Sequence, residues 1–96
     1  MNDEFLENVL KQNKNVIVKF GADWCKPCKT LIPILKDIEI NEGIKVIDID
    51  VEENPDATTA FGIRSIPTIM YYQNEKLIDT TVGALTKEDI LKRFKE

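Results

Sequence analysis

The chain has 96 residues, enough for one domain with a modest hydrophobic core, and we treat residues 1–96 as that domain. Hydrophobic residues make up 43% and charged residues 31%, which are ordinary globular values. The formal net charge of -4 gives no general footprint for nucleic acid. Histidine is absent, which excludes Cys–His catalysis and His-ligated metal sites.

The expected location is the cytoplasm, without a membrane span. No apolar run approaches the length of about 18 residues that a transmembrane helix needs. The first residues, MNDEFLE, are acidic and lack the basic and apolar regions of a secretory signal. In a reducing compartment, two close cysteines are more often catalytic or metal-binding than a structural disulfide.

The first half of the sequence predicts helix, strand, helix and strand. Apolar residues at helical spacing predict a helix over residues 3–12, and the β-branched run 16–20 predicts a buried strand. A second amphipathic helix should begin at Cys25 or Lys26 and end near residue 41, before the glycine at position 43. Residues 44–50 alternate as a second strand, which the strand–helix–strand unit makes parallel to the first.

The second half predicts a short helix, a hairpin and a last helix. Residues 56–61 suit a short helix and residues 68–72 a third strand. A tight turn at 73–75 leads to a fourth strand over 76–82, which must be antiparallel to the third. Thr86 with Asp89 forms a near capping box for the last helix. The expected fold class is α/β, with a central mixed sheet of four strands and helices on both faces.

The only two cysteines, Cys25 and Cys28, stand between the first strand and the second helix. Cys25, at the exposed end, would face the unpaired N–H groups and the positive end of the helix dipole, which favour a thiolate. Lys26 adds a cation, and Pro27 suits the first turn because it lacks an N–H. Cys28 would face inward one turn later. This arrangement fits thiol–disulfide exchange, with Cys25 as nucleophile and Cys28 resolving the mixed disulfide.

Two other interpretations of the cysteine pair are weaker. A structural zinc site needs about four ligands, and two cysteines without histidine could supply them only between two chains. A structural disulfide across so short a loop would constrain the unfolded chain very little. We therefore expect no metal site in this chain.

Further motifs accompany the cysteine pair in a defined order. They are WCKPCK at residues 24–29, the proline at 33, residues 50–55, FGIRSIPT at 61–68 and VGAL at 82–85. In these motifs the chain resembles the thioredoxin family over nearly its whole length. The resemblance implies the thioredoxin fold and the reduction of protein disulfides, with the redox-active disulfide Cys25–Cys28 in place of any bound cofactor.

The resemblance also implies a surface for the target protein. Pro67 would be a cis-proline packed opposite the disulfide, and Trp24, Ile66 and the loop of Gly83 and Ala84 would line a flat apolar groove. Backbone groups around Ile66 would pair with an extended target segment. The residues expected at this surface are Trp24, Lys26, Pro27, Ile66, Pro67, Gly83 and Ala84.

Three features depart from the usual thioredoxin pattern near the cysteines and at the N-terminus. Lys26 replaces a glycine, and its charge should stabilise the reduced form and make the potential less reducing. Gly21 stands where an aromatic residue is usual, which leaves more room or a smaller apolar rim. Only Met1 and Asn2 precede the first helix, so the N-terminal edge strand of many thioredoxins should be absent or vestigial.

A fourth departure concerns two charged residues beneath the cysteines. Lys19 occupies the strand position of the family's usual buried aspartate, and Asp48 occupies that of its usual lysine. If the two strands are neighbours, Lys19 and Asp48 can form an ion pair. Either Asp48 or a transiently neutral Lys19 could then take the proton from Cys28, which makes both candidate catalytic residues. The alternative is that Lys19 snorkels to the surface and takes no part.

The expected function is therefore a monomeric, cytoplasmic protein-disulfide reductase. Its partners would be disulfide-containing target proteins and a thioredoxin reductase driven by NADPH or ferredoxin. Three alternatives stay open: a glutaredoxin-like reductase, an oxidant or isomerase of an oxidising compartment, and a redox-independent binding module that uses the thioredoxin surface. Activity with glutathione alone would favour the first, and a high potential the second. An effect that survives Cys25→Ser would favour the third.

Overall fold

A computed structural model of the protein describes residues 3–95, which form helices and strands in the order that the sequence predicts. In chain order the elements are α1 (Asp3–Gln12), β1 (Asn15–Gly21), α2 (Lys26–Glu42), β2 (Lys45–Asp50), α3 (Pro55–Ala60), β3 (Thr68–Gln73), β4 (Lys76–Val82) and α4 (Lys87–Leu91). The prediction that the N-terminal edge strand is absent or vestigial concerns Met1 and Asn2, which lie outside the described residues. Among residues 3–95, no helix is long and apolar enough to cross a bilayer.

The four strands form one mixed sheet in the order β2-β1-β3-β4. β1 pairs in parallel with β2 and antiparallel with β3, and β3 pairs antiparallel with β4. This confirms the predicted parallel unit and the predicted hairpin. The register sets Lys19 of β1 directly beside Asp48 of β2. The two residues therefore project from neighbouring strands toward the same face of the sheet.

Helices cover both faces of the sheet, and β1 is buried between them. One core contains Val18 and Phe20 of β1 with Leu6 of α1. The other contains Ile17 of β1 with residues of α2 and α4, such as Leu35. Because alternate residues of β1 enter opposite cores, its apolar run needs no polar face. This central strand ends at Gly21, directly before the cysteines.

Local signals fix the ends of several elements. α2 extends one residue beyond its predicted end and stops at Gly43, whose φ of 66° is left-handed. Asn74 and Glu75 have φ values of 52° and 68°, the positive values of a tight hairpin turn. The Thr86 hydroxyl accepts the N–H of Asp89 at the start of α4, as the capping pattern predicts.

β2 forms one edge of the sheet and begins at Lys45, one residue later than predicted. The Val46 N–H donates to the carboxylate of Glu39 in α2, at 2.8 Å, rather than to a neighbouring strand. At the end of β2, the Asp50 carbonyl accepts bonds from the backbone and side-chain nitrogens of Asn54. Side chains and the following turn thus provide hydrogen-bond partners for some of the backbone groups at this open edge.

Candidate active site

The two cysteines form a disulfide at the start of α2, with their Cα atoms 5.2 Å apart. Cys25 is the N-cap of the helix, in extended conformation, and Lys26 and Pro27 follow as its first two residues. The Cys25 sulfur accepts the N–H of Cys28 at 3.3 Å. The sulfur therefore occupies the position where free N–H groups and the helix dipole stabilise negative charge. This is the geometry that the sequence predicts for the nucleophile.

Cys25 is more enclosed than the sequence suggests, whereas Cys28 lies inward as predicted. Cys25 exposes 6% of its surface and Cys28 exposes 1%. The predicted order of accessibility is correct, but the description of Cys25 as exposed is wrong for the disulfide form. The cause is packing, because Ala22, Val51 and Ile66 surround the pair. In the disulfide form, only a small part of Cys25 is therefore accessible to a target.

The outer side of the disulfide holds the residues predicted to contact a target. Trp24 exposes 68% of its surface directly before Cys25. The Ile66–Pro67 peptide bond is cis, and Ile66 packs against the cysteine cluster. The Gly83 N–H donates to the Pro67 carbonyl at 2.8 Å, which ties the loop after β4 to the cis bond. The structure thus brings three distant segments together around one disulfide.

Pro67 itself is buried, whereas three further predicted contact residues are exposed. Lys26 and Pro27 lie between the cysteines, and Ala84 follows Gly83 in the loop after β4. Their side chains are free to meet another molecule. The seven predicted contact residues therefore lie on three segments, at residues 24–27, 66–67 and 83–84.

The inner side of the disulfide holds the predicted ion pair. Lys19 exposes only 3% of its side chain, and its Nζ lies 3.3 Å from Oδ2 of Asp48. The Asp48 side chain is 53% exposed. The alternative in which Lys19 snorkels to the surface is therefore wrong. The pair joins a buried cation to an anion that solvent can reach.

A cavity of about 490 Å³ lies under the disulfide and reaches Cys28 and Lys19. Gly21 lines it, and a Cβ on Gly21 would lie 3.1 Å from the Cys28 sulfur. Gly21 is thus closely surrounded, and the extra room that the sequence analysis expects is not found at the position of its missing Cβ.

The cavity also contains charged residues that the sequence analysis missed. Asp23, Lys29 and Asp50 line it together with Lys19 and Asp48. The Asp50 carboxylate accepts two backbone N–H groups of the following turn. Only Asp50 could have been found from the sequence. It ends β2, and parallel strands end at the same edge of a sheet, so it should lie near the cysteines that follow β1.

A disulfide at the N-terminus of a helix, beside a cis-proline and at the end of a central strand, defines a thiol–disulfide oxidoreductase. Comparison with known proteins identifies its family. The thioredoxin family model matches residues 1–96. The chain belongs to the thioredoxin family.

Individual relatives agree with this assignment. The chain is 43% identical to the thioredoxin of Rickettsia typhi over 89 residues, which cover 91% of this chain and 85% of that protein. It is 41% identical to the thioredoxin of Acidithiobacillus ferridurans over 91 residues, covering 93% and 84% of the two chains. The protein is therefore a thiol–disulfide oxidoreductase that reduces disulfides of protein substrates by dithiol–disulfide exchange.

Solved structures show the same fold. A mutant thioredoxin from Halobacterium salinarum has a TM-score of 0.88 and 28% identity, covering 96% of this chain and 81% of that chain. Oxidised mitochondrial thioredoxin 3 from Saccharomyces cerevisiae has a TM-score of 0.77 and 32% identity, covering 93% and 83%. The α/β fold with four strands is therefore a thioredoxin fold.

Proposed function

We propose that Cys25 is the attacking thiolate and Cys28 the resolving thiol in the reduction of protein disulfides. The observation that carries these roles is the N-cap position of Cys25, whose sulfur accepts the N–H of Cys28. The same bond and the helix dipole favour a thiolate after reduction. Cys28 is the more enclosed of the two, which favours the second, intramolecular attack.

The reaction proceeds in two exchanges. The Cys25 thiolate attacks one sulfur of the target disulfide, and the other target sulfur leaves as a thiolate. The Cys28 thiolate then attacks the Cys25 sulfur, the bond to the target breaks, and the second target thiolate leaves. The target gains two electrons, and the chain becomes the Cys25–Cys28 disulfide. The cysteines carry these electrons, so no bound cofactor takes part.

The target segment would lie in extended form along the outer side of the disulfide. The cis Ile66–Pro67 bond and the exposed ring of Trp24 support this placement. Peptide groups around Ile66 would pair with the target backbone, while Gly83 and its loop border the groove. Recognition through backbone groups suits a protein that reduces several different targets.

Asp48 would receive the proton that Cys28 releases before the second attack. Its carboxylate is the solvent-accessible end of the pair with Lys19, and it lines the cavity that reaches Cys28. A proton received there can pass to water. Lys19 would keep this carboxylate in place beneath the cysteines.

The partners would be disulfide-containing proteins and a separate thioredoxin reductase, driven by NADPH or ferredoxin. The proposed location is the cytoplasm, and the chain would act as a monomer. The cysteine content supports a reducing compartment, because both cysteines belong to the redox pair and none is left for a structural disulfide.

Trapping of targets tests these roles. In Cys28→Ser, the mixed disulfide through Cys25 cannot be resolved, so covalent complexes with targets should accumulate. They should disappear on treatment with a small thiol. The matched control is Cys25→Ser, which keeps one cysteine and the same fold but should trap nothing. Equal trapping by both variants, or none by either, would contradict the assigned roles.

A further inference from the structure

The sulfur of Cys28 lies near the side-chain stem of Lys19, which is a buried lysine. A Cβ placed on Gly21 would lie 3.1 Å from the Cys28 sulfur and 3.2 Å from Cε of Lys19. The two side chains therefore flank the same small space. Only a glycine at position 21 avoids a tight contact with both side chains.

Five charged residues line the cavity around Cys28: Lys19, Asp23, Lys29, Asp48 and Asp50. Asp23 and Lys29 are exposed and opposite in sign, so solvent screens both. Lys19 is the one buried charge of the group. A charge pair in protein surroundings interacts roughly four times more strongly than the same pair in water. Burial therefore gives Lys19 the largest influence on the sulfur.

The two remaining carboxylates oppose this influence only weakly. The Asp50 carboxylate accepts hydrogen bonds from the backbone N–H groups of Glu52 and Glu53, at 2.8 and 3.3 Å. Asp48 contacts the Lys19 ammonium, but half of its side chain is in solvent. An ammonium has three N–H donors, and among residues 3–95 its hydrogen bonds go to Asp48 alone. The Lys19 ammonium thus has donors that Asp48 does not accept, on a buried side chain whose stem packs near Cys28.

We propose that Lys19 is a positioning residue that stabilises the thiolate of Cys28, so that the resolving cysteine is ionised before it attacks the mixed disulfide. The inference rests on the proposed exchange reaction. Lys19 neither gives nor takes a proton in this step. The Cys28 thiolate forms the bond to the Cys25 sulfur, and the target sulfur leaves with the electron pair of the broken bond.

A second consequence concerns the balance between the oxidised and reduced forms. In the disulfide the Cys28 sulfur carries no charge, so Asp48 is the partner of the buried ammonium. Reduction adds a thiolate as a second counter-charge. Lys19 therefore stabilises the reduced form, and removing its charge should make the protein more reducing. A tenfold change in this equilibrium corresponds to about 30 mV for a two-electron couple.

Titration of Cys28 tests the proposal without any substrate. In full-length Cys25→Ser, thiolate absorbance followed against pH should show Cys28 ionising below about 8.5, the value of a free cysteine. Adding Lys19→Met should raise this midpoint by about one pH unit, a tenfold loss of thiolate near neutral pH. The matched control is Lys45→Met, which removes an exposed lysine from β2 and should leave the midpoint unchanged.

A charge exchange separates the electrostatic effect from folding. The double variant Lys19→Asp, Asp48→Lys keeps an ion pair but puts the carboxylate beneath Cys28, so the midpoint should rise above that of Lys19→Met. Asp48→Asn keeps the ammonium and should leave the midpoint low. A midpoint that stays the same in Lys19→Met and in the exchanged variant overturns the proposal. Such a failure leaves the exchange reaction itself intact, because trapping by Cys28→Ser reports on that reaction alone.

Discussion

The two sides of the Cys25–Cys28 disulfide are built from different chemical groups. The outer side consists of an exposed indole, a cis peptide bond and backbone groups, contributed by Trp24, Ile66–Pro67 and the loop after β4. The inner side consists of charged side chains around a cavity, with Lys19 buried against Asp48. One disulfide therefore separates an apolar surface from an ionic one.

Because the two sides differ in chemistry, we propose separate tasks for them. On the proposed function, the exposed indole and the backbone around the cis bond would contact the backbone of a target. Buried charges next to a sulfur control its ionisation and the redox equilibrium. Outer substitutions should therefore change target recognition, while inner substitutions should change stability and sulfur chemistry.

The largest effect is expected on the inner side, at Gly21. Gly21→Ala places a Cβ within 3.0–3.2 Å of Cys28 and Lys19. The lysine stem can move, but Cys28 is held by the helix and the disulfide. The free energy of unfolding of the oxidised protein should fall by about 1–3 kcal/mol. Urea denaturation measures it, and the loss should be smaller after reduction, when Cys28 is released. If Gly21→Ala and the parent are equally stable in both the oxidised and the reduced form, the close packing around Gly21 does not contribute to stability.

An intermediate effect is expected on the outer side, at Trp24. Trp24→Ala removes an exposed ring from the target surface and should lower kcat/KM for a protein disulfide about tenfold, or about 1.4 kcal/mol. The rate with a small aromatic disulfide should stay near that of the parent, because such a substrate needs little of the groove. The control is Phe5→Ala, which removes another exposed aromatic ring, from α1. Equal losses with both substrates would assign Trp24 to sulfur chemistry instead.

The smallest effect is expected at Lys26, which lies exposed between the two sides. Lys26→Gly removes a cation beside Cys25, so the reduced form should lose stability and the variant should become more reducing. Solvent screening limits the change to about threefold in the redox equilibrium. Titration against a glutathione buffer measures it, with Lys26→Arg as the control that keeps the charge. A variant that is equally or less reducing than the parent would show that Lys26 has no such effect.

Local sequence signals predicted most of the fold. The limits of β4 were predicted to the residue, because a tight turn and a glycine enclose it. The pairing of Lys19 with Asp48 was predictable once β1 and β2 were known to be parallel neighbours. Element ends without a strong local signal, such as the start of β2 at Lys45, differed by one residue.

The enclosure of the active site was not predictable in the same way. The burial of Cys25 depends on Val51 and Ile66, which come from distant parts of the chain. The cavity beside Cys28 is formed where the start of α2 meets the ends of β1 and β2, and its lining residues come from all three elements. Tertiary packing decides both features, and no periodicity in the sequence encodes it.

The bond between Glu39 and the Val46 N–H bears on how the protein behaves at high concentration. β2 is an edge strand, and an edge with free N–H groups is a template for adding a strand of another molecule. Glu39 occupies one of these donors at 2.8 Å, and the exposed carboxylate of Asp48 lies further along the same strand. To pair with β2, a strand of a second copy would have to displace the carboxylate of Glu39. It would also have to pack beside the charged carboxylate of Asp48. This edge is thereby protected against intermolecular β-aggregation.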